Sequence, residues 1–142
     1  MVETASDAAQ NTGVSKLGFS KDQVILELGY DDDVDDALRE RIEDVVNSDL
    51  EDEDYVDVVD GVLLWWREGD GDLTDALIGA VTAFEDDGFI VLISPKVGRP
   101  GEVDPTDIAE AAETAGLQAS ASVNLTKEWS GTRLVTPKSG RR

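Results

Sequence analysis

The sequence contains no cysteine and no histidine. Without thiols it has no disulfide framework, no thiolate nucleophile and no zinc–thiolate cluster. Without imidazole it lacks the usual general base, any Ser-His-Asp triad and the commonest transition-metal ligand. Bases are scarce as well: 12 Lys and Arg stand against 32 Asp and Glu, a formal charge of −20 on 142 residues. A surface of that sign repels nucleic-acid phosphates and anionic membranes, so neither is expected as a partner. No run approaches the ~18 apolar residues of a membrane span, and the first residues lack the basic and apolar regions of a signal peptide. A cytoplasmic location is the resulting expectation.

The charge is unevenly placed. Residues 1–60 hold 19 acids and 4 bases, residues 61–142 hold 13 acids and 8 bases, and after Trp129 only bases remain. An acidic first half of this kind suits a partner protein with a basic surface; solubility and adaptation to salt are the plainer explanations.

Two apolar runs, Val62–Trp66 and Phe89–Ile93, are apolar on consecutive positions and read as strands buried on both faces. The segment between them has the length of one helix, which makes the pair parallel. Gln23–Leu28 is a first strand, and a helix opens at Val34 with Asp33 as its N-cap. Ser48–Tyr55 is an acidic loop with no strand signal. Asp72 caps a second helix whose apolar face runs from Leu73 to Phe84, stopped by Asp86-Asp87-Gly88. Asp104-Pro105 starts a third helix, ended by Gly116. Two closing strands, about Gln118–Leu125 and Thr132–Thr136, pair as a hairpin around a turn at Trp129-Ser130-Gly131. The expected architecture is α/β: a three-layer Rossmann-like sandwich of about five strands, mostly parallel, with a C-terminal antiparallel hairpin. Residues 1–16 and 139–142 are expected to be tails, the first of them disordered, flanking one domain over 17–138.

This order of elements resembles the class I methyltransferase-like Rossmann fold in reduced form, with Gln23–Gly29 similar to its first cofactor-binding strand. The resemblance implies an adenosylmethionine site, yet the chain departs from the family's pattern. Where the family has glycines after its first strand, this sequence has Gly29-Tyr30-Asp31-Asp32-Asp33, and only Ser48–Tyr55 stands in place of the second strand. No cofactor is therefore expected. At a finer level, the blocks Leu28–Asp36, Val62–Arg67, Ile93–Gly101 and Thr132–Gly140 resemble a family of short acidic actinobacterial proteins to which no activity is assigned.

Open parallel sheets bind ligands at the carboxyl ends of their strands. Those ends should bring together Tyr30, Asp31, Asp32 and Asp33, then Trp66 and Arg67, then Lys96 and Arg99. Such a rim suits a small ligand or a loop of a partner, with Lys96 and Arg99 as an anion clamp. The same residues have plain structural roles as helix caps, core rings and counter-ions. Trp65 and Trp66 must point to opposite faces. Asp31–Asp36 offers five carboxylates, but an EF-hand loop needs glycine at its sixth position and glutamate at its twelfth, where this chain has Asp36 and Ile42. No metal site and no catalytic residue are expected. The content points away from an enzyme and toward a regulatory or adaptor protein acting through an acidic surface. The alternative is a binder or enzyme of a nucleotide-like or adenosylmethionine-like ligand at the strand-end rim.

Overall fold

The computed structural model describes residues 14–137, with the backbone alone at 85–87. Its elements run β1 (Ile25–Leu28), α1 (Asp36–Val46), β2 (Val59–Trp65), α2 (Leu73–Val81), β3 (Phe84–Pro95), α3 (Pro105–Thr114), β4 (Gln118–Asn124) and β5 (Trp129–Val135). The sheet has five strands in the order β1-β2-β3-β5-β4. The first three are parallel, and β5 lies antiparallel between β3 and β4.

Consecutive apolar residues make β2 and β3 the centre of the sheet because each supplies both layers at once. Val62, Leu64, Ile90 and Leu92 point to the face covered by α2 and α3, where they meet Leu77, Ile108 and Ala112. Leu63, Trp65, Val91 and Ile93 point to the other face and meet Leu38, Ile42 and Val46 of α1 together with Val14, Leu17 and Phe19. Phe19 also meets Phe89 edge-on at 5.7 Å. The expected three-layer α/β sandwich is thus the observed one. Val14 belongs to a helical turn at 14–16 and is buried, so the folded part includes residues assigned above to the N-terminal tail. Residues 1–13 of the N-terminal tail, Lys138 at the domain's end and the C-terminal tail at 139–142 lie outside the described residues.

Three local expectations are corrected. The N-cap of α1 is Asp35, whose carboxylate accepts from Leu38 N at 3.0 Å. Asp33 is instead drawn away by Arg67, and a turn closed by Val34 N on Asp31 O at 3.2 Å precedes the helix. Helix α2 ends at Val81, ahead of Asp86-Asp87-Gly88, because Phe84 leaves the helical stripe to pair with Val59. The register then shifts so that Phe89 lies opposite Gly61. Trp129-Ser130-Gly131 is strand rather than turn: these residues pair with Pro95, Ser94 and Ile93. The acidic loop at 48–55 meets the outer edge of β1 through one bridge, Glu27 N to Glu51 O and Glu51 N to Ile25 O, both 2.8 Å. No helix among the described residues is long and apolar enough to cross a membrane.

Candidate functional site

The carboxyl ends of β1 and β2 adjoin because the strands pair in register, Leu28 beside Leu64. Gly29 follows β1 at φ +78°, and a Cβ placed there would stand 2.2 Å from the Trp65 carbonyl oxygen. This glycine is required by close passage of two backbones. Beyond it, Asp32 N bonds the Asp31 carboxylate at 2.7 Å, which fixes the loop locally.

Arg67, just past β2, turns its side chain back across this loop. Its Nε donates to Asp33 Oδ2 at 3.0 Å, its Nη2 to Asp33 Oδ1, and its Nη1 to the Gly29 carbonyl at 2.8 Å. Asp70 accepts from the Arg67 backbone N–H at 3.0 Å and lies 3.4 Å from Nη1. The guanidinium also sits 5.8 Å from the Trp129 ring, a cation–π distance. Burial works to lower the Arg67 pKa, but the hydrogen bonds and charges of Asp33 and Asp70 outweigh it and hold the value above the ordinary one.

A second arginine anchors the same corner from below. Glu27, buried within β1, accepts from Arg39 Nε and Nη2 at 2.7 and 2.8 Å and from the Trp65 indole Nε1 at 2.9 Å. Arg39 lies 4.9 Å over the Tyr30 ring. Hydrogen bonding to Glu27 raises the Arg39 pKa against the lowering effect of burial. Both arginines have folded values above their unfolded ones, so the stability tied to their protonation is complete below the unfolded value and is lost only in strong alkali.

Between these groups opens a cleft of about 480 Å³, walled by Tyr30, Asp31, Glu53, Trp66, Asp70 and Asp75, with Arg67 at its edge. Tyr30, Asp31, Trp66 and Arg67 therefore converge as the sequence suggests, and Asp33 joins them through Arg67. Asp32 is exposed beside the loop. Trp66 is half-buried on the α2–α3 face, while Trp65 is fully buried on the other, edge-on to Trp129 at 5.0 Å. Lys96 and Arg99 stand elsewhere. Lys96 lines a separate cleft beside α3, and Arg99 is paired with Glu128 at 3.0 Å. Glu53 and Asp75 had no sequence signal as cleft residues. Glu53 arrives there because Glu51 is clipped to β1, and Asp75 because α2 starts beside the strand ends.

The site is a carboxylate-walled recess whose one arginine is neutralised from within. Phosphate is disfavoured by the carboxylates, whereas cationic groups and hydroxyl donors are favoured. The first loop departs from the glycine cradle that the methyltransferase-like resemblance implies for adenosylmethionine: the Gly29 carbonyl accepts from Arg67, and Tyr30 and three aspartates follow it. Among the described residues, no group of three or more Asp or Glu side chains is arranged to hold a metal ion.

The element order and sheet define a Rossmann-like α/β domain whose fold is similar to that of methyltransferase structures. It is similar to the structure of the pyocyanin biosynthetic protein PhzM at TM-score 0.65 and 16% identity, covering 94% of this chain and 56% of that one. It is likewise similar to the mitomycin 7-O-methyltransferase MmcR (TM-score 0.61, 12% identity, 91% and 54% covered). For a precorrin-6y C5,15-methyltransferase from Geobacter metallireducens the values are 0.61, 13%, 90% and 87%. The chain thus spans about half the length of the first two, and at these identities the likeness concerns the fold alone. By sequence the chain belongs to the family described as protein of unknown function (DUF3052), whose model matches residues 14–138. Uncharacterised proteins of Mycobacterium tuberculosis and Mycobacterium bovis are 52% identical over 135 residues, which is 95% of this chain and 84% of theirs.

Proposed function

We propose that this protein is a non-catalytic binding module acting by contact with a basic partner protein, and that the contact is made by the acidic recess and loop at the ends of β1 and β2. The observation that carries this reading is the internal neutralisation of Arg67. With that cation held by Asp33 and Asp70, the carboxylates of Asp31, Glu53 and Asp75 have no ion-pair partner among the described residues. A lysine or arginine presented by a partner supplies the missing charge, and the half-buried Trp66 offers it an aromatic face.

The test is charge reversal at Asp31 and Asp32, which leaves the Asp33–Arg67 pair intact. A partner captured by cross-linking to the wild type should associate with the Asp31→Lys/Asp32→Lys variant roughly tenfold more slowly, with a flatter salt dependence. Equal association rates at low salt remove this face from the proposal.

A second reading has the same recess holding a small, hydroxyl-bearing or cationic ligand such as a nucleoside. It is favoured by the position of the recess at the strand ends and by carboxylates that accept hydroxyl groups. Melting followed by Trp fluorescence separates the two readings, using nucleosides, nucleotides, adenosylmethionine and divalent ions as probes. A melting temperature that climbs with ligand concentration by mass action favours the ligand. A flat panel is the result expected for a protein-contact surface.

A further inference from the structure

The cleft that Lys96 lines differs in chemistry from the acidic recess. It lies between the start of α3 and the carboxyl end of the sheet, has a volume of about 260 Å³, and its lining holds no carboxylate. Its floor is a patch of hydroxyls set by strand register. Ser94 of β3 lies opposite Ser130 of β5, and Thr132 lies between Leu92 and Ser122. One step back along the same face the sheet carries Ile90, Leu92 and Leu134, packed under the helices. Where the hydroxyls take over from those larger apolar side chains, a void opens beneath Val103, Pro105 and Ile108.

Ser94 is 5% exposed, so its hydroxyl faces a site largely removed from water. Ser130 donates to Asn124 Oδ1 at 3.3 Å, so the hydroxyl protons the floor offers a ligand are those of Ser94, Ser122 and Thr132. Lys96 stands at the mouth, half-buried, and takes part in no ion pair among the described residues. The nearby carboxylate of Glu128 is engaged by Arg99, while the Glu128 carbonyl accepts from the Lys96 backbone N–H at 2.9 Å and fixes the loop. In a chain of net charge −20, a cation beside an apolar wall and a hydroxyl floor, with no acid in the lining, is a local reversal of the protein's surface chemistry.

We propose that this cleft binds a small monocarboxylate with an apolar body. The body lies against Val103 and Ile108, the carboxylate pairs with the Lys96 ammonium, and its second oxygen accepts from the hydroxyls of Ser94, Ser122 and Thr132. The volume falls just under the roughly 300–1,000 Å³ of sites for drug-sized ligands, which fits a short aliphatic or single-ring acid. Phosphate lacks the apolar body, and a neutral alcohol lacks the charge.

The test uses the full chain, labelled with nitrogen-15, titrated with hexanoate and separately with hexanol and acetate. Hexanoate should produce saturable shifts in the amides of Ser94, Ser122, Ser130 and Thr132, and bind more tightly than either comparator. Lys96→Met, which keeps the stem and removes the charge, should weaken hexanoate roughly tenfold, the effect of losing one charge-assisted hydrogen bond, and leave hexanol unchanged. Ser122→Leu, on the exposed outer strand, should fill the floor and abolish both while the rest of the spectrum is retained. The proposal is overturned if hexanoate shifts do not saturate or fall outside the cleft. It is equally overturned if Lys96→Met binds hexanoate as the wild type does, or if acetate binds as tightly as hexanoate.

Discussion

Replacing Glu27 with alanine should destabilise the fold by about 3–5 kcal/mol, the usual consequence of removing one partner from a buried ion pair. Glu27 is 8% exposed and serves two elements at once, holding Arg39 of α1 through both oxygens and the Trp65 indole of β2 through one. Among the described residues, its loss leaves the guanidinium only the exposed carboxylate of Asp36, 3.6 Å away, and the indole N–H without its acceptor. Arg39 keeps 24% of its side chain in water, which places the expected value near the lower bound. Against a total of roughly 5–15 kcal/mol for an ordinary domain, this is a large fraction. Urea denaturation followed by Trp fluorescence measures it. Glu27→Gln, which retains an acceptor for the indole, should lose less. A Glu27→Ala loss below about 1 kcal/mol, the range of exposed pairs, would show that the cluster contributes little.

Gly29→Ala is the second large effect, and two causes add. A residue with a Cβ at φ +78° costs about 1–2 kcal/mol in the left-handed region. The new methyl also stands 2.2 Å from the Trp65 carbonyl oxygen, which is backbone and cannot rotate aside. Forcing β1 and β2 apart adds about 1–3 kcal/mol of overpacking. The displaced Gly29 carbonyl also pulls away from Arg67, so the acidic recess loses its lock. Gly69→Ala separates the causes: Gly69 has φ +98° and nothing within 4 Å of its would-be Cβ. It should therefore show the conformational cost alone. Equal melting temperatures for the two variants would mean that the close passage of the strands is unimportant.

The architecture was legible in the sequence because the cores of β2 and β3 are short runs apolar on consecutive positions. Bounded by glycine and aspartate, runs of that length read as strands covered on both faces. Helix capping was legible where one aspartate stood alone, as at Asp72 and Asp104, whose carboxylates accept from Asp75 N and Thr106 N. It failed at Asp31–Asp36, where several carboxylates compete for one helix start. The choice was settled by Arg67, 34 positions from Asp33, and no local pattern carries that information. Trp129-Ser130-Gly131 misled for a related reason. Glycine there reads as a turn, but a Cβ on Gly131 would meet Leu125 and Leu17 side chains at 2.8 Å, so the glycine makes room for packing above a strand. Half of the candidate rim assembled as expected because strand ends are predictable. Lys96 and Arg99 lie apart from it because the loop after β3 folds back onto the turn before β5, held by Lys96 N on the Glu128 carbonyl.

The placement of β5 bears on how the chain is made. The last strand of the described residues, β5, is inserted between β3 and β4, and among those residues β4 has no other neighbour in the sheet. Until residue 135 has emerged from the ribosome, β3 presents an open apolar edge from Phe89 to Pro95, and β4 waits without a place to dock. Open edges of this kind invite pairing with other nascent chains. By then the first 60 residues, with 19 acids to 4 bases, have already been made, and charge of one sign opposes such pairing.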